Sequence, residues 1–229
     1  MKRARKQEQK DQRRGEIVRE AWRCYQRDGY NAMTMSAVAA GVGLAKGTLY
    51  LYFPTKESLL LEVLTHEFRR WFAELQSALE RATNNAGPSQ SPERLAGVVA
   101  DSLAARPSLL QLLAESHVIL EQHADEAAVL RYKTMIASGM EHLAHPMARA
   151  LGLPSDDSDE GATRVGSLLQ VLYALTIGLW SMTRRSPIVE TVMDEHPELE
   201  IFRIDFAQTL RDATSALFLG MHGNTRRGT

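Results

Sequence analysis

The sequence has only one cysteine in 229 residues, Cys24, so no disulfide can form within the chain. A chain without internal disulfides agrees with a reducing compartment, and we expect a cytoplasmic protein. The first 14 residues contain seven basic side chains but no apolar run, which excludes a signal peptide and a membrane span there. Cys24 shares a helical face with Ile17 and Ala21, which predicts that its thiol is buried.

Alternating β-branched residues, which are typical of strands, are also missing, and almost every long segment has helical spacing. We therefore predict an all-α fold. Nucleophile elbows, phosphate-binding loops and metalloprotease motifs are absent, so we expect neither an enzyme nor a cofactor. His142 and His145 are three residues apart, but without cysteines or a second spaced pair we predict no metal site.

A net positive charge is missing outside the N-terminal quarter of the chain. Residues 1–56 contain 12 basic and five acidic side chains, a net charge of +7, whereas residues 57–229 have a net charge of −8. This asymmetry is typical of a protein whose basic end meets nucleic acid or an anionic membrane. The charge by itself does not choose between these two partners.

Helical spacing and turn residues predict where the helices begin and end. A first helix is expected from about Gln12 to Arg27, with Gly29 as its left-handed C-terminal cap. A long helix follows Pro54 and, at about 1.5 Å per residue, spans on the order of 40 Å, enough to link two domains. Later helices are expected to begin at Pro92, near Pro107 and at about residue 125.

Two long helices are predicted near the end of the chain, over residues 162–185 and about 198–221. The first is apolar nearly all round, which predicts burial on every face. Its small residues share one row and allow another helix to approach closely: Ala162, Gly166, Ala174 and Gly178. Its polar residues argue against a membrane span: Arg164, Gln170, Arg184 and Arg185. The two helices either complete an internal core or form a four-helix dimer interface, and periodicity does not separate these alternatives.

Residues 34–53 form a helix-turn-helix candidate. Thr34 is a natural N-cap, Gly43 can adopt the positive φ of a turn, and Pro54 ends the second helix. Ala39 is small enough for the two helices to touch, and Leu49 is expected to point back towards the first helix.

The outer face of the second helix suits a DNA major groove. Thr48 can contact a base edge, Leu51 can meet a thymine methyl group, and Gly47 permits close approach. Lys46 can reach a guanine edge or a phosphate. Ala45, at the start of the helix, is a further predicted DNA-contact residue, although the helical period places it on the same side as Leu49 and Phe53. Phosphate contacts, which set register rather than sequence, are predicted for a further group: Thr34, Ser36, Tyr50, Tyr52 and Lys56.

The run from Ile17 to Leu60 resembles the N-terminal DNA-binding domain of the TetR family of bacterial transcriptional regulators. The matching positions continue without a gap: Ile17, Ala21, Tyr25, Gly29, Tyr30, Thr34, Ala39, Gly43, Gly47, Tyr50, Phe53, Lys56 and Leu60. Two departures stand out. Ala45 replaces the usual Ser or Thr cap, which weakens the cap by about 1 kcal/mol, and Gly41-Val42 replaces the usual Ala-Ala.

The resemblance implies a homodimeric repressor that binds a roughly palindromic operator on double-stranded DNA and is released by a small-molecule effector. It implies a three-helix helix-turn-helix domain and a C-terminal helical ligand-binding and dimerisation domain. The expected limits are a flexible basic arm over 1–11, a DNA-binding domain over 12–58, an effector and dimerisation domain over 59–221, and a tail over 222–229. The resemblance also implies that effector binding shifts the linking helix, from Lys56 to about residue 84.

The effector itself is not specified by the sequence. Residues within largely apolar helices give a candidate pocket for an apolar or amphipathic molecule: His66, His117, Glu121, Met135, Tyr173, Thr176 and Trp180. Two alternatives remain: an activator or a regulator that answers to a protein partner, and a helical ligand carrier or enzyme that does not read DNA.

Overall fold

The structure, a computed structural model, describes residues 2–86, 91–153 and 160–225. These residues form helices and turns without a strand, which confirms the all-α prediction. The helices are α1 (Lys2–Ala32), α2 (Met35–Gly41), α3 (Lys46–Tyr50), α4 (Lys56–Ala86), α5 (Pro92–Ala104), α6 (Pro107–Glu115), α7 (Glu121–His123), α8 (Glu126–Ala150), α9 (Glu160–Thr183), α10 (Pro187–Glu195) and α11 (Phe206–Thr225). A π-helical turn, Ser116–Leu120, lies between α6 and α7, and a 3₁₀ helix, Pro197–Phe202, follows α10.

Helix α1 is longer than expected at both ends. It begins at Lys2 instead of about Gln12, because the added residues are mostly Lys, Arg, Gln and Glu, which favour helix. Gly29 has φ 70° and ψ 179°, so it breaks the helical path as predicted, but the helix resumes and ends at Ala32. The flexibility of residues 1–11 stays a prediction. Residues 226–229 of the predicted tail lie outside the described residues.

Helices α2 and α3 form the expected helix-turn-helix. The Thr34 hydroxyl accepts a hydrogen bond from the Ala37 amide at 3.1 Å, so this cap is confirmed. Gly43 has φ 67°, which a residue with a side chain rarely adopts. Helix α3 has only five residues, fewer than expected, and Ala45 gives it no side-chain cap.

The chain divides into two compact units. The first unit contains residues 1–69 and 115–136, and the second contains residues 70–114 and 137–229. The predicted DNA-binding domain over 12–58 lies in the first unit, but the sequence gives no sign that residues 115–136 belong there too.

Residues 115–136 are held in the first unit by hydrogen bonds to α1 and α4. The Tyr25 hydroxyl donates to the Glu115 carboxylate at 2.9 Å, and the Asp125 amide donates to the Ser58 hydroxyl at 2.9 Å. Cys24 is 1% exposed in this unit, as its helical face predicts. Its burial raises the pKa of the thiol above its ordinary value.

In the second unit, α11 packs against α5 and α9. Its buried side is formed by Phe206, Leu210, Thr214, Phe218 and Met221. The prediction of one helix over residues 198–221 is wrong. Pro197 ends α10 and opens a 3₁₀ helix, and Phe202 of that helix is 58% exposed instead of facing the core.

Helix α9 is not buried on every face, so that prediction is also wrong. Val171 is 52% exposed and Met182 is 53% exposed, and only a third of its most apolar stretch is buried. Among the described residues it is the one helix long and apolar enough to cross a membrane, on length and composition alone. Exposed apolar surface of this kind is typical of an interaction site.

Candidate nucleic-acid interface

The outward side of α3 contains the residues predicted to meet DNA bases. Lys46 and Gly47 are exposed, Thr48 is half-buried, and Leu51, just after the helix, is 82% exposed. Leu49 on the opposite side is fully buried and fastens the helix to the first unit. The structure therefore separates Leu49 from Gly47, Thr48 and Leu51 as the helical period predicts, whereas Ala45 is exposed instead of lying on the inward side.

Gly47 exposes the backbone of α3, and no neighbouring residue of the chain requires a glycine at this position. A Cβ atom built on Gly47 meets no other atom within 4 Å. By contrast, a Cβ atom on Gly41 in α2 lies 2.4 Å from a carboxylate oxygen of Glu20, so Gly41 gives α2 room against α1. Gly41 thus has a close neighbour within its own chain, the Glu20 side chain, whereas Gly47 is open to an external surface.

Lys46 and Lys56 both lie near tyrosine rings. Lys46 Nζ is 5.9 Å from the Tyr50 ring centroid, and Lys56 Nζ is 3.9 Å from the Tyr30 ring centroid. Lys56 also donates a hydrogen bond to the Tyr30 carbonyl at 2.8 Å, so one of its three donors is used within the protein. Lys56 therefore has a structural contact that its predicted phosphate role did not include.

The Tyr30 hydroxyl completes this arrangement at the start of α4. It donates to the Glu57 carboxylate at 2.6 Å. Burial and this hydrogen bond raise the pKa of Tyr30 to about 12. Tyr30 thus stays protonated at neutral pH and holds the first turn of α4.

None of the ten predicted DNA-contact residues is buried, and all belong to the first unit. Thr34, Ser36 and Ala45 are exposed, and Tyr50 is 41% exposed. Tyr52 is half-buried. The Thr34 hydroxyl accepts its cap hydrogen bond with an oxygen lone pair and so keeps its own proton for donation.

Arg14 is a residue of this region that the sequence did not identify. Its Nη1 donates to the Tyr52 carbonyl at 3.3 Å, and its guanidinium carbon lies 4.2 Å from the Phe53 ring centroid. Its Nη2 contacts the Glu62 carboxylate at 2.6 Å. The partners lie 38 and 48 positions away in sequence, so no local pattern announces them.

The predicted effector residues divide between the two units. Four lie in the first unit, His66, His117, Glu121 and Met135, and three in the second, Tyr173, Thr176 and Trp180. Within the first unit, His117 Nδ1 lies 3.0 Å from Glu121 Oε1, so these two side chains meet. Met135 is 7% exposed, and His66 Nδ1 lies 3.1 Å from Glu67 Oε1.

In the second unit, two of the predicted effector residues form internal hydrogen bonds. The Thr176 hydroxyl donates to the Leu172 carbonyl at 2.7 Å. Trp180 Nε1 lies 3.4 Å from the Gln111 side-chain oxygen, and its ring meets Phe206 edge-on with centroids 5.2 Å apart. Tyr173 is half-buried.

An open, almost wholly apolar groove of about 420 Å³ lies in the second unit. It is lined by Met182, Arg185, Ile188, Val189, Val192, Met193, Leu199 and Phe202, none of which the sequence indicated as an effector contact. The described residues contain no group of three or more His, Cys, Asp or Glu side chains that could hold a metal ion.

Helices α9 and α11 expose a second surface with little charge. Every exposed residue of α9 between Thr163 and Met182 is uncharged. A Cβ atom on Gly178 in α9 or on Gly220 in α11 meets nothing within 4 Å. Leu219, next to Gly220, is 45% exposed. This surface suits close contact with another apolar helix.

Curated proteins similar to this chain include the transcriptional repressor KstR from three bacteria. The HTH-type transcriptional repressor KstR of Mycobacterium tuberculosis is 32% identical over 114 residues, 49% of this chain and 50% of that protein. KstR of Rhodococcus jostii is 52% identical over 42 residues, 18% of this chain and 20% of that protein. The chain thus spans half or less of the length of these relatives.

Solved structures with the same fold are more distant in sequence. FadR of Thermus thermophilus, a TetR-family repressor in complex with lauroyl-CoA, has a TM-score of 0.57 and 16% identity, with 90% of this chain and 93% of FadR covered. A TetR regulator from Rhodococcus sp. RHA1 has a TM-score of 0.57 and 20% identity, with 92% and 97% covered. These similarities show a common fold.

Family models match nearly the whole chain. Residues 17–63 match the model described as "Bacterial regulatory proteins, tetR family". Residues 65–225, more than half of the chain, match the one described as "Tetracyclin repressor-like, C-terminal domain". Together they confirm the resemblance found in residues 17–60. The chain belongs to the TetR family of bacterial transcriptional regulators, not to a family of enzymes.

Proposed function

We propose that this protein is a sequence-specific transcriptional repressor that binds a palindromic operator as a homodimer and leaves it when a small-molecule effector binds. The observation that carries this proposal is the outward side of α3, where Gly47 is bare, Leu51 is exposed and Leu49 anchors the helix from behind. A short helix fixed in this way presents its side chains to a major groove.

The roles of the individual residues follow from their chemistry. Thr48 and Leu51 read base edges and a thymine methyl group, and Gly47 lets the backbone approach the groove. Lys46 contacts a guanine edge or a phosphate. Phosphate contacts from the surrounding positions set the register: Thr34, Ser36, Tyr50, Tyr52 and Lys56.

Dimerisation is supported by the uncharged exposed side of α9 between Thr163 and Met182, and by Leu219 and Gly220, which are exposed near the end of α11. The open glycines, Gly178 and Gly220, allow close helix packing, and the exposed apolar residues beside them need cover. If both helices pair with their copies across a two-fold axis, they form a four-helix interface. A two-fold dimer presents two copies of α3, which is why we expect a palindromic operator.

The effector is an apolar or amphipathic molecule in this proposal, because the second unit and its candidate residues are mainly apolar. Helix α4 contributes residues to both units, so it is the element through which effector binding changes DNA affinity. Release requires that the effector bind the DNA-free state more tightly than the DNA-bound state. We place the protein in the cytoplasm, with no membrane partner.

The DNA-binding claim is tested by selecting bound duplexes from a random double-stranded pool with the wild-type protein at moderate salt. We expect enrichment of a palindromic sequence. Absence of any enriched sequence would contradict the proposal and favour a ligand carrier. A reporter under the enriched sequence then separates repression, where loss of the protein raises expression, from activation, where loss lowers it.

Two substitutions separate residues that contact bases from residues that contact phosphates. Thr48→Ala should change base preference at one or two positions, by about 1–3 kcal/mol for each base pair affected. Lys56→Ala should weaken binding to all duplexes similarly and flatten the salt dependence, since it removes a cation. Binding is measured at several salt concentrations, with a melting curve because Lys56 also holds Tyr30. Identical effects of the two variants would show that this division of roles is wrong.

Effector release is tested with lauroyl-CoA, which the structurally similar FadR binds, and with lauric acid and free coenzyme A as matched controls. An apolar or amphipathic effector site predicts that an acyl probe lowers affinity for the enriched duplex, whereas coenzyme A alone does not. If coenzyme A acts as strongly as the acyl compounds, recognition does not depend on an apolar group and the proposed effector class is wrong.

A further inference from the structure

Helix α3 is too short to be stable by itself and must be held by its surroundings. It has five residues, whereas isolated helices shorter than about 12 residues are marginal in water. Its start has no side-chain cap at Ala45. Its buried side is fixed by Leu49. What fixes its C-terminal end therefore decides how accurately its outward residues are presented.

One guanidinium group contacts the C-terminal end of α3, in addition to the backbone hydrogen bonds that the Tyr52 and Phe53 amides donate to the Leu49 carbonyl. The chain leaves α3 through Leu51 and Tyr52, and the Tyr52 carbonyl accepts a hydrogen bond from Arg14 Nη1 at 3.3 Å. The same guanidinium group lies over the ring of Phe53, which is 1% exposed. A cation at this end of a helix also interacts favourably with the helix dipole.

The orientation of Arg14 is set in turn by Glu62 of α4. Arg14 Nη2 lies 2.6 Å from Glu62 Oε2, and the two side chains are 29% and 15% exposed. Arg131 of α8 reaches the same oxygen with Nε at 3.2 Å. One carboxylate oxygen thus joins α1 to two segments that are distant in sequence, α4 and the start of α8.

We propose that Arg14 is a positioning residue for DNA reading: it fixes the end of α3 from behind, and Glu62 fixes Arg14. Only the planar fork of arginine contacts the Tyr52 carbonyl and the Glu62 carboxylate together while it covers the Phe53 ring. This inference rests on the proposed function, because it concerns how α3 is presented to DNA. Arg13, the preceding residue, pairs with Glu16 instead and has no contact with α3 among those described.

The first test compares Arg14→Lys with Arg13→Lys. Both variants keep the positive charge, but lysine cannot reach the Tyr52 carbonyl and Glu62 at once. Affinity for the duplex enriched by the wild type should fall roughly tenfold in Arg14→Lys, with little change for an unrelated duplex. Arg13→Lys should bind both duplexes like the wild type. Unchanged binding by Arg14→Lys, or an equal loss on both duplexes, overturns the proposal.

In Glu62→Gln, the direction of the change in DNA affinity separates long-range electrostatics from the positioning of Arg14. Removing a negative charge from the basic first unit strengthens DNA binding if long-range electrostatics decide the outcome. Loss of the anchor for Arg14 predicts weaker binding to the enriched duplex instead. Glu16→Gln is the matched control, since it removes the same charge beside Arg13. Stronger binding by both variants contradicts the positioning role.

Arg131→Gln tests whether Glu62 affects DNA binding through Arg14 or through Arg131. Because the contact between Arg14 and Glu62 remains, we expect less than a twofold change in affinity for the enriched duplex. A loss as large as that in Glu62→Gln would show that Glu62 acts through Arg131, and the proposal would be wrong.

A final measurement does not depend on DNA. Amide hydrogen exchange at residues 46–53 should be faster in Arg14→Lys and Glu62→Gln than in the wild type, and unchanged in Arg13→Lys and Glu16→Gln. If the wild type selects no DNA sequence, the proposed function fails, but this exchange pattern still decides whether Arg14 holds α3. Equal exchange in all five proteins overturns the inference even if DNA binding is confirmed.

Discussion

The outward sides of α3 in the first unit and α9 in the second unit both contain a glycine with open space around it, yet they differ in charge. Gly47 lies next to Lys46, in a segment, residues 1–56, with a net charge of +7. Gly178 lies in the stretch of α9 from Thr163 to Met182, where every exposed residue is uncharged. Open space at a glycine allows close approach, and the surrounding charge favours a polyanion at α3 and an apolar helix at α9.

Val171→Glu, on the exposed side of α9, should weaken dimerisation, and we expect this to be the largest effect of the substitutions below. A carboxylate buried without a partner in a helix interface is costly, so we expect dimerisation to weaken by roughly a hundredfold or more. Sedimentation at several concentrations measures this change. Val118→Glu is the control, because Val118 is also an exposed valine, at 67%, but lies in the first unit. Equal effects of the two substitutions would remove α9 from the proposed interface.

Gly139→Ala tests a glycine that, unlike Gly47 and Gly178, has no space around it for a side chain. A Cβ atom on Gly139 lies 2.2 Å from the Phe72 ring, so the substitution must displace that ring or the helix. We expect a loss of about 1–3 kcal/mol in the free energy of unfolding, measured with urea. Gly97→Ala in α5 is the control, since its Cβ atom meets nothing within 4 Å and alanine favours helix. A stable Gly139→Ala protein would show that Phe72 moves aside easily.

Gly47→Ala should affect DNA binding but not folding or dimerisation, which distinguishes the α3 surface from the α9 surface. The added methyl group meets nothing within the protein, so the melting temperature should stay the same or rise slightly. Affinity for the enriched duplex should fall roughly tenfold, since the methyl group faces the groove. Dimerisation should not change. Unchanged DNA binding would show that the α3 backbone does not approach DNA closely.

Asp125→Asn should give the smallest effect, and it depends on pH. Burial raises the pKa of the Asp125 carboxyl, but hydrogen bonds from Ser58 and the Ala128 amide outweigh it, so the pKa lies below its ordinary value of 3.8. Because the folded pKa is lowered, its contribution to stability is present above the unfolded pKa and is lost as the pH falls through the folded pKa.

The stability difference between the wild type and Asp125→Asn should therefore be constant at neutral pH and shrink below about pH 4. Asparagine still caps α8, so the difference at neutral pH should be under about 1 kcal/mol. Urea unfolding of both proteins at neutral pH and below pH 4 measures this difference in the free energy of unfolding. A difference that grows in acid would contradict the role of the charged carboxylate.

Local features of the fold were predictable from the sequence because they depend on neighbouring residues. The Thr34 cap, the positive φ of Gly43, and the inward side of Leu49 follow from residue chemistry and a period of 3.6. The start of α5 at Pro92, with Ser91 as its cap, follows from the same rules.

Other features were missed because they depend on distant segments, or because a local signal was not used. The contact of Arg14 with Glu62 joins residues 48 apart, and no spacing rule predicts it. Helix α10 was missed although Ser186 and Pro187 repeat the pattern of Ser91 and Pro92, so its start could have been found. The exposed side of α9 was missed because apolar composition does not distinguish a core from an interface.

The division of the first unit into residues 1–69 and 115–136 has a consequence for synthesis. When the ribosome has added residue 69, Glu115 and Asp125, the distant hydrogen-bond partners of Tyr25 and Ser58, are still to come. At roughly 5–20 residues per second, these contacts must wait several seconds more. During this interval the nascent chain contains only part of the first unit, and a transcript cut short before codon 115 encodes a first unit that lacks its second segment.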